Sequence, residues 1–364
     1  MRIFIFSIII LVNIFANSKF ESNQKCKDCH PLIYEEYQKS MHANATIFKD
    51  PIHKAVWDKH PAKKKESYKC AKCHTPAADN LKELMAPKNG ILPDPNNNTQ
   101  NDGISCAYCH RIKEIKIGLR NNTNIISNIP KKYFGTRKDH IKSPFHEIDT
   151  TNKEFLKGNV CMGCHSHNRN KFGLNVCSTN ENQEIENSNC VSCHMPKVKG
   201  SVSNLRETKN HTFHGFAGTH FHNHMLKKYV DIEFLPKLKS FEIAVNSKAP
   251  HALLLHPLRV AFLNVEILRK DKKVFEKKEI FVRIIGANKK PTPPWLAKEV
   301  VKDTMIKGNE KRVLKYDFKL QKGDKIVATL GYKLVNPKML KKLNLEKIDI
   351  AKKTFILKRE VFKF

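Results

Sequence analysis

The sequence predicts an α+β protein, in which a mainly helical, loop-rich N-terminal region precedes a C-terminal β-sandwich-like region. Two observations support this prediction. All eleven cysteines lie between residues 26 and 193, among short helical segments and polar loops. After about Lys227 cysteine disappears, and runs of alternating apolar and polar residues take over, as is typical of strands with one buried face. We therefore divide the chain into segments 1–18, 19–227 and 228–364.

The first segment has the layout of a secretory signal peptide. Met1-Arg2 gives a positive start, Ile3 to Phe15 is mainly apolar, and Ala16-Asn17-Ser18 supplies small residues for cleavage. The apolar run falls short of the roughly 20 residues that span a bilayer. We expect export and a mature chain that begins near Lys19, with an uncleaved anchor as the alternative.

Five copies of the pattern CxxCH mark the second segment. The pattern is the attachment site of c-type haem: two thiols bond covalently to the porphyrin, and the adjoining imidazole becomes an axial ligand of the iron. The copies are Cys26, Cys29 and His30; Cys70, Cys73 and His74; Cys106, Cys109 and His110; Cys161, Cys164 and His165; and Cys190, Cys193 and His194.

The alternative to haem is a set of zinc sites, because CxxC pairs also bind zinc. Zinc does not require a histidine directly after the second cysteine, whereas here one follows every time. The sequence therefore predicts five covalently bound haem c groups with iron as the metal. Bacterial haem of this type is attached outside the cytoplasm, so we expect the periplasm as the compartment.

Helices and loops alternate in the haem-motif region. Pro31 is suited to the first position of a helix, and Ile33, Tyr37 and Met41 recur at four-residue spacing along one face. Residues 94–98 and 120–124, rich in Asn, Asp and Pro, are expected to form loops.

Strand pairs are predicted in the third segment. Residues 314–320 and 326–332 alternate in polarity around the turn Lys322-Gly323-Asp324, which predicts a hairpin. A second pair is expected from residues 260–268 and 274–285.

Further strands are expected at residues 241–245 and 354–364, and short strands with turn signals favour a small β-sandwich. Trp295 follows a proline-rich loop and is expected either in the core of the sandwich or at its contact with the haem-motif region.

The second axial ligand of each iron decides what a haem can do. A second histidine closes the far face and suits electron transfer, whereas an open face allows small molecules to bind. Of 18 histidines, 18 − 5 = 13 lie outside the motifs. The candidate second ligands are His42, His53, His146, His211 and His214.

Sequence position limits some of these histidines. His42 lies twelve residues beyond His30, or about 18 Å along a shared helix, so it must serve a neighbouring haem or none. His167 is too close to His165 for an independent role. His251 and His256 begin the β region; they could reach back to the haem-motif region, but core or surface histidines are the simpler explanation.

The chain carries a net charge of +31, from 66 basic and 35 acidic residues. Export excludes nucleic acid as the partner, and two propionates per haem offset part of the charge. Because the basic clusters are spread along the chain, a solvated basic surface is the simplest explanation. Docking to an acidic redox protein, or peripheral association with an anionic membrane, is the functional alternative.

Cys177 is the one cysteine outside the motifs. The simplest interpretation is that Cys177 is a buried, unreactive thiol. A haem ligand, a redox-active site and an intermolecular disulfide are the alternatives.

Four further sequence features resemble one multihaem family. They are Cys29-His30-Pro31 followed by Tyr37 and Ser40-x-His42-Ala43; Cys73-His74-Thr75-Pro76; Gly103-Ile104-Ser105-Cys106; and Cys193-His194-Met195-Pro196 followed by His211. Over about residues 20–225 the chain resembles the family that includes the tetrahaem electron carrier of ammonia oxidation, hydroxylamine oxidoreductase and pentahaem nitrite reductase.

That resemblance implies stacked and perpendicular haem pairs, and histidines placed like His42, His146 and His211 as ligands of neighbouring haems. The β region resembles domains fused to such cytochromes more loosely. The chain also departs from the family: it has no CxxCK motif and five haem motifs rather than eight, so neither catalytic assignment transfers.

Three functions are compatible with these features. The first is a periplasmic respiratory electron carrier between a membrane quinol-oxidising cytochrome and a terminal redox enzyme. The second is a reductase or oxidoreductase that acts on a small nitrogen or sulfur compound at one open-face haem. The third is a docking subunit held in a larger complex by its β region. The surplus of histidines favours the carrier and leaves enzyme activity open.

Overall fold

The computed structural model describes residues 19–139, 141–179 and 189–364. The predicted signal segment 1–18 lies outside them. The α-helices are α1 (Asn23–Lys27), α2 (Pro31–Gln38), α3 (Pro51–Lys59), α4 (Ala71–His74), α5 (Leu81–Met85), α6 (Asn98–Asn101), α7 (Cys106–Cys109), α8 (Lys153–Leu156), α9 (Met162–His165), α10 (Cys190–His194), α11 (Pro337–Lys342) and α12 (Asp349–Lys352). Pro61–Lys65 and Asn223–Tyr229 form 3₁₀ turns. Within these ranges, no helix has both the length and the apolar character that a membrane crossing requires.

Strands account for most of the remaining regular structure. They are β1 (Ile112–Lys116), β2 (Thr123–Ile126), β3 (Lys132–Phe134), β4 (Glu147–Asp149), β5 (His167–Arg169), β6 (Asn175–Ser178), β7 (Lys197–Lys199), β8 (Asn210–Thr212), β9 (Val230–Pro236), β10 (Phe241–Ser247), β11 (Val260–Arg269), β12 (Lys272–Phe281), β13 (Arg283–Ala287), β14 (Lys290–Pro291), β15 (Glu299–Asp303), β16 (Lys311–Tyr316), β17 (Lys325–Lys333) and β18 (Thr354–Lys363). β1–β8 form four two-stranded ladders, three between CxxCH motifs and one after the fifth motif.

Helix α2 begins at Pro31, as predicted, and buries Tyr37. It ends at Gln38, so Met41 lies beyond it and His30 and His42 do not share a helix. The proline at its first position costs no hydrogen bond, because the first N–H groups of a helix have no intrahelical partner.

The C-terminal strands form a sandwich, which confirms the α+β prediction. One sheet has the order β12-β11-β17-β18, the facing sheet has the order β16-β10-β9, and a small third sheet has the order β14-β13-β15. The inward side chains of the two larger sheets share one core, for example Phe241 and Ile243 from β10 with Leu263 and Ile267 from β11. Alternation along each strand places these apolar residues on one face.

The predicted hairpin at residues 314–332 is wrong: the second predicted strand corresponds to β17, but of the first only residues 314–316 are extended, at the end of β16. β16 pairs with β10, whereas β17 pairs with β11 and β18 in the other sheet. The ring of Tyr316, at the end of β16, stacks on Phe241 of β10 with centroids 5.0 Å apart. The chain then crosses the core and buries Leu320. Period-two alternation predicts a half-buried strand but does not choose its partner.

The second predicted pair is confirmed in part. β11 and β12 pair through a two-residue turn at Lys270 and Asp271, both with left-handed φ angles of 50° and 60° as tight hairpins require. β12 ends at Phe281, and the chain continues as β13 in the third sheet rather than as one long strand. The strands expected at residues 241–245 and 354–364 correspond to β10 and β18.

The haem-motif region and the sandwich are in direct contact. Ile52 and Ala55 of α3 belong to the same buried core as the sandwich strands. Tyr332 Oη donates to the carbonyl of Thr219 at 2.7 Å. Trp295 lies at this contact, with its ring centroid 4.8 Å from that of His60. β-region residues are thereby held close to the CxxCH motifs.

Candidate functional site

Each CxxCH motif forms one helical turn. In the first four copies, the backbone N–H of the histidine donates to the carbonyl of the first cysteine, at 2.9 Å in the first motif and 3.0 Å in the other three. The fifth copy is helix α10 itself. A single turn therefore presents two thiols and one imidazole together, which is the donor set that covalent haem requires.

The motif histidines are oriented by backbone carbonyls. In four of them Nδ1 lies within hydrogen-bond distance of a carbonyl oxygen: His30 with Val202 at 2.6 Å, His74 with Ala45 at 2.9 Å, His110 with Phe134 at 2.7 Å and His194 with Ala217 at 2.6 Å. A carbonyl only accepts, so Nδ1 carries the proton and Nε2 keeps its lone pair. This second bond sets the tautomer of a metal-binding imidazole.

Four motif histidines each face a second imidazole at nearly the same spacing. The ring centroids are 6.2 Å apart for His30 and His146, 6.2 Å for His110 and His214, 6.1 Å for His165 and His42, and 6.1 Å for His194 and His251. Two imidazoles that share one metal have centroids about 6.2 Å apart, because each metal–nitrogen bond is about 2.0 Å and the nitrogen lies about 1.1 Å from the ring centre. The four pairs therefore fit one iron each.

The facing histidines remain neutral, as ligation requires. Burial, together with neighbouring imidazoles, lowers the pKa of His42 and that of His214 to about 3. His214 Nδ1 donates to the carbonyl of Thr212 at 2.6 Å, and His251 Nδ1 donates to the carbonyl of Ala252 at 2.8 Å. Nε2 of both rings keeps a lone pair for a metal.

Two of the sequence candidates do not have the geometry of second ligands. Both ring nitrogens of His211 are engaged: Nδ1 bonds to the carbonyl of Gly200 at 3.1 Å, and Nε2 bonds to Glu36 at 2.9 Å. With both nitrogens engaged, His211 offers no free nitrogen to a metal in this structure.

His53 also lacks the ring spacing of the four pairs. Its ring centroid lies 3.9 Å from that of His74, too close for a metal between them. Its Nδ1 bonds to the carbonyl of Ala45 at 3.0 Å, and its Nε2 faces the hydroxyl of Tyr68 at 3.3 Å. His53 is a packing partner of His74.

His251 is the residue that sequence reasoning missed. It lies in the β region, in the loop after β10, and its neighbours Pro250 and Ala252 form no recognisable motif. Only the packing of that loop against the haem-motif region brings it opposite His194. In the sequence, the sign that further ligands exist is that the chain holds more histidines than its five motifs use.

Cysteines of different motifs are neighbours. Those of the first motif lie beside those of the third, those of the second beside those of the fourth, and those of the fourth beside those of the fifth; the pairs are Cys26 with Cys106, Cys73 with Cys164, and Cys161 with Cys190. Cys109 of the third motif interacts electrostatically with both cysteines of the fourth. The motifs therefore form one connected cluster, with the fourth at its centre.

Tyr108 lies inside this cluster. Its hydroxyl accepts a hydrogen bond from Asn124 Nδ2 at 3.1 Å, and the same amide lies 3.7 Å from Cys164 Sγ. Burial and the surrounding thiols raise the pKa of Tyr108 far above its ordinary value. The side chain remains neutral and helps to exclude water between the third and fourth motifs.

Cys177 lies on β6 and forms no disulfide. Burial raises the pKa of its thiol, which keeps it protonated and a poor nucleophile. In the described part of the chain, no group of three or more His, Cys, Asp and Glu side chains is arranged to hold a bare metal ion.

Comparison with known proteins supports a cytochrome fold. Residues 25–111, which contain the first three CxxCH motifs, match the family described as cytochrome c554 and c-prime. The structure is similar to the crystal structure of a penta-heme cytochrome c552 from Thermochromatium tepidum, with a TM-score of 0.75 and 18% identity over 95% of this chain and 99% of that chain.

A second solved structure, chicken MD-1 complexed with lipid IVa, matches 28% of this chain and 68% of its own at 14% identity, but its TM-score of 0.15 carries no argument. No curated protein sequence matches the chain.

Proposed function

We propose that this protein is a periplasmic pentahaem c-type cytochrome that transfers electrons between a membrane quinol-oxidising cytochrome and a terminal redox enzyme. The observation that carries the proposal is the set of four histidine pairs at 6.1–6.2 Å. An iron held between two imidazoles changes its charge by one electron without exchanging ligands, which suits a carrier.

In this proposal the ten motif cysteines hold five haems covalently. The axial pairs are His30 with His146, His110 with His214, His165 with His42, and His194 with His251, while His74 ligates the haem of the second motif. Backbone carbonyls on Nδ1 make six of these imidazoles stronger donors and fix their orientation, which tunes the potential of the site; they are His30, His74, His110, His194, His214 and His251.

The connected motif cluster provides the route between redox partners. The cysteines of the first motif lie beside those of the third, the third beside the fourth, and the fourth beside both the second and the fifth. The protein holds the motifs close together, excludes water from between them and surrounds them with neutral side chains. Electron transfer along this route needs no acid–base step. Because this network branches at the fourth motif, the first, second and fifth motifs lie at its ends and are the natural entry and exit points.

The charge of the chain favours acidic redox partners. With 66 basic and 35 acidic residues, the protein attracts an acidic surface over a distance set by ionic strength. Such a field mainly speeds encounter. An anionic membrane surface offers the same attraction and would place the protein near a quinol-oxidising cytochrome.

The decisive experiment is a count of the haems and of their spin states in the purified protein. We expect five haems by pyridine haemochrome assay and intact mass, an N-terminus near Lys19, and low-spin EPR signals for the four paired irons. Rapid oxidation by an acidic redox protein should slow as salt is raised. Fewer than five haems, or fewer than four low-spin irons, would contradict the proposal.

A further inference from the structure

The tip of the β1–β2 hairpin, residues 117–122, presents two aliphatic side chains to solvent. Ile117 is 83% exposed and Leu119 is 81% exposed. Ile125 of β2 is a third exposed aliphatic residue of the same hairpin. Single aliphatic side chains are ordinary on a protein surface, whereas several on one short element mark a contact site. The hairpin therefore ends in an apolar tip that lacks a partner within the described part of the chain.

Hydrogen bonds hold this tip on the fourth CxxCH motif. The carbonyl of Gly118 lies 2.9 Å from Nε2 of His167, just after that motif. Asn122 donates from Nδ2 to the carbonyl of Met162, inside the motif, at 3.1 Å. The Oδ1 atom of Asn122 also accepts the backbone N–H of Gly118 at 3.2 Å, which closes the turn on itself. The two aliphatic side chains are thus presented by a turn whose backbone is fixed.

The second motif is attached to the same hairpin. Lys72, inside that motif, donates from Nζ to Oγ1 of Thr123 at 2.9 Å and to Oδ1 of Asn121. Gly163 of the fourth motif lies so close to Asn124 that a β-carbon at this glycine would clash with the asparagine side chain. A surface that binds the tip therefore lies beside both the second and the fourth motif.

Cations flank the apolar tip. Lys116 and Arg120 lie on either side of the two aliphatic residues, and both side chains are exposed. Residues 113–120 contain three basic residues and one carboxylate, that of Glu114. Glu114 lies two residues further from the turn than Lys116 along β1. The surface nearest the tip is therefore cationic, and it complements an anionic partner.

An apolar tip with cationic flanks fits the boundary layer of an anionic bilayer. Aliphatic side chains enter the acyl region there, while lysine and arginine remain at the level of the headgroups. A stable complex with a protein buries about 800 Å² on each partner, more than two projecting side chains supply. A lipid surface needs no matching pocket, because its molecules rearrange around the tip. The shape of the hairpin therefore favours a membrane over a protein.

We propose that the β1–β2 tip inserts Ile117 and Leu119 into the surface of an anionic phospholipid membrane, with Lys116 and Arg120 among the headgroups. The inference deepens the proposed function and rests on it, because that function places the protein beside a membrane quinol-oxidising cytochrome. Binding through the tip turns the second and fourth motifs towards the membrane. The fourth motif is the branch point of the motif cluster, so an electron that enters there reaches every other motif.

Flotation of the purified holoprotein with lipid vesicles tests the membrane contact. The anionic probe is a vesicle of phosphatidylglycerol and phosphatidylethanolamine, and the neutral probe is a vesicle of phosphatidylcholine. We expect saturable binding to the anionic vesicles that weakens as salt is raised, and roughly tenfold weaker binding to the neutral vesicles. Absence of binding to the anionic vesicles at low salt would overturn the proposal.

Replacement of the two aliphatic side chains locates the contact. The double variant Ile117→Ser, Leu119→Ser should bind the anionic vesicles about tenfold more weakly or less, since the apolar contribution is lost. Both side chains are exposed, so haem content and the midpoint of chemical unfolding should stay unchanged. Unchanged vesicle affinity in this variant would show that charge alone attracts the protein, and would overturn insertion of the tip.

Leu238→Ser is the matched control. Leu238 is 90% exposed in the turn between β9 and β10 and lies between Lys237 and Lys239, so it offers the same chemistry on a different element. This variant should bind the anionic vesicles like the unmodified protein. Weakening equal to that of the double variant would place the contact elsewhere and contradict the assignment to the hairpin.

The cationic flanks have a variant of their own. Lys116→Gln with Arg120→Gln should weaken binding to the anionic vesicles and reduce its dependence on salt, while binding to the neutral vesicles stays unchanged. If these two cations have no effect on either vesicle, the proposed contact with the headgroups is wrong.

A protein partner at the tip gives a different result. Normal vesicle binding by the serine double variant, together with slower oxidation by an acidic redox protein, would make the tip a protein-docking surface and overturn the membrane contact. Failure of the membrane contact leaves the electron-carrier proposal intact, provided that five haems and four low-spin irons are present. A haem count below five would instead contradict the proposed function itself, whatever the vesicles show.

Discussion

Glu36 accepts a hydrogen bond from His211 Nε2 at 2.9 Å, and its other carboxylate oxygen accepts the backbone N–H of His214 at 2.8 Å. His211 Nδ1 also faces an acceptor, the carbonyl of Gly200. Both nitrogens of His211 are thus engaged. Glu36 on α2 joins the buried ring of His211 to the loop that places His214 opposite His110.

Removal of the Glu36 carboxylate should make the side chain of His214 more mobile. In Glu36→Ala the buried ring of His211 and the N–H of His214 lose their acceptor, and we expect a loss of about 2–3 kcal/mol in the free energy of unfolding. The low-spin signal of one haem should broaden or shift as its ligand becomes mobile. Chemical denaturation and EPR check the two effects. Glu35→Ala, which removes the exposed neighbouring carboxylate, should change neither.

His42 and His53 should respond differently to the same substitution. His42 faces His165 at 6.1 Å, so His42→Ala should add one high-spin iron to the EPR spectrum. His53 contacts His74 directly, so His53→Ala should leave the number of high-spin irons unchanged and reduce only stability. An added high-spin iron in the His53 variant would contradict its role as a packing residue.

His251 offers a test of the ligand that comes from the β region. His251→Ala should convert the haem of the fifth motif to high spin and raise its reduction potential measurably, since one imidazole donor is lost. Spectroelectrochemistry with EPR measures both changes. The exposed His224 is the control, and its replacement by alanine should alter neither spectrum nor potential.

The β region should lose stability in acid through Asp324. Arg269 donates to both oxygens of this buried carboxylate, at 2.8 and 2.9 Å, and lowers its pKa. A carboxyl whose folded pKa is depressed stabilises the fold fully above its unfolded pKa of about 3.9, and this stabilisation is lost as pH falls below that value.

Thermal unfolding of the wild type and of Asp324→Asn measures this effect. The variant should be less stable at pH 7, and the difference should shrink as pH falls below about 4. A constant difference between pH 7 and pH 3 would show that Asp324 does not titrate with unfolding.

The strands illustrate how far the sequence predicts the fold. Alternation correctly located β10, β11, β17 and β18, because burial of one face imposes period two on any half-buried strand. The same signal assigned the 314–332 segment to a hairpin, whereas its two strands lie in different sheets. Strand pairing depends on contacts between distant segments, such as Tyr316 on Phe241, which alternation does not encode.

The candidate site, like the strands, could be predicted from the sequence only in part. His42, His146 and His214 were among the predicted second ligands and face motif histidines. His211 has the sequence position of a ligand, yet its nitrogens are taken by Glu36 and Gly200. Which nitrogen is free depends on neighbours that sequence spacing does not reveal.

The sequence by itself determined the donor set of this protein, because Cys-x-x-Cys-His is a local pattern that one helical turn assembles without help from the rest of the chain. The tertiary structure alone decided which histidines face the motifs. The facing partners are between 57 residues (251 minus 194) and 123 residues (165 minus 42) away along the chain. Contacts over such separations depend on how distant segments pack: three of the four pairs form within the haem-motif region, and only the pair of His194 with His251 requires the β region to pack against it.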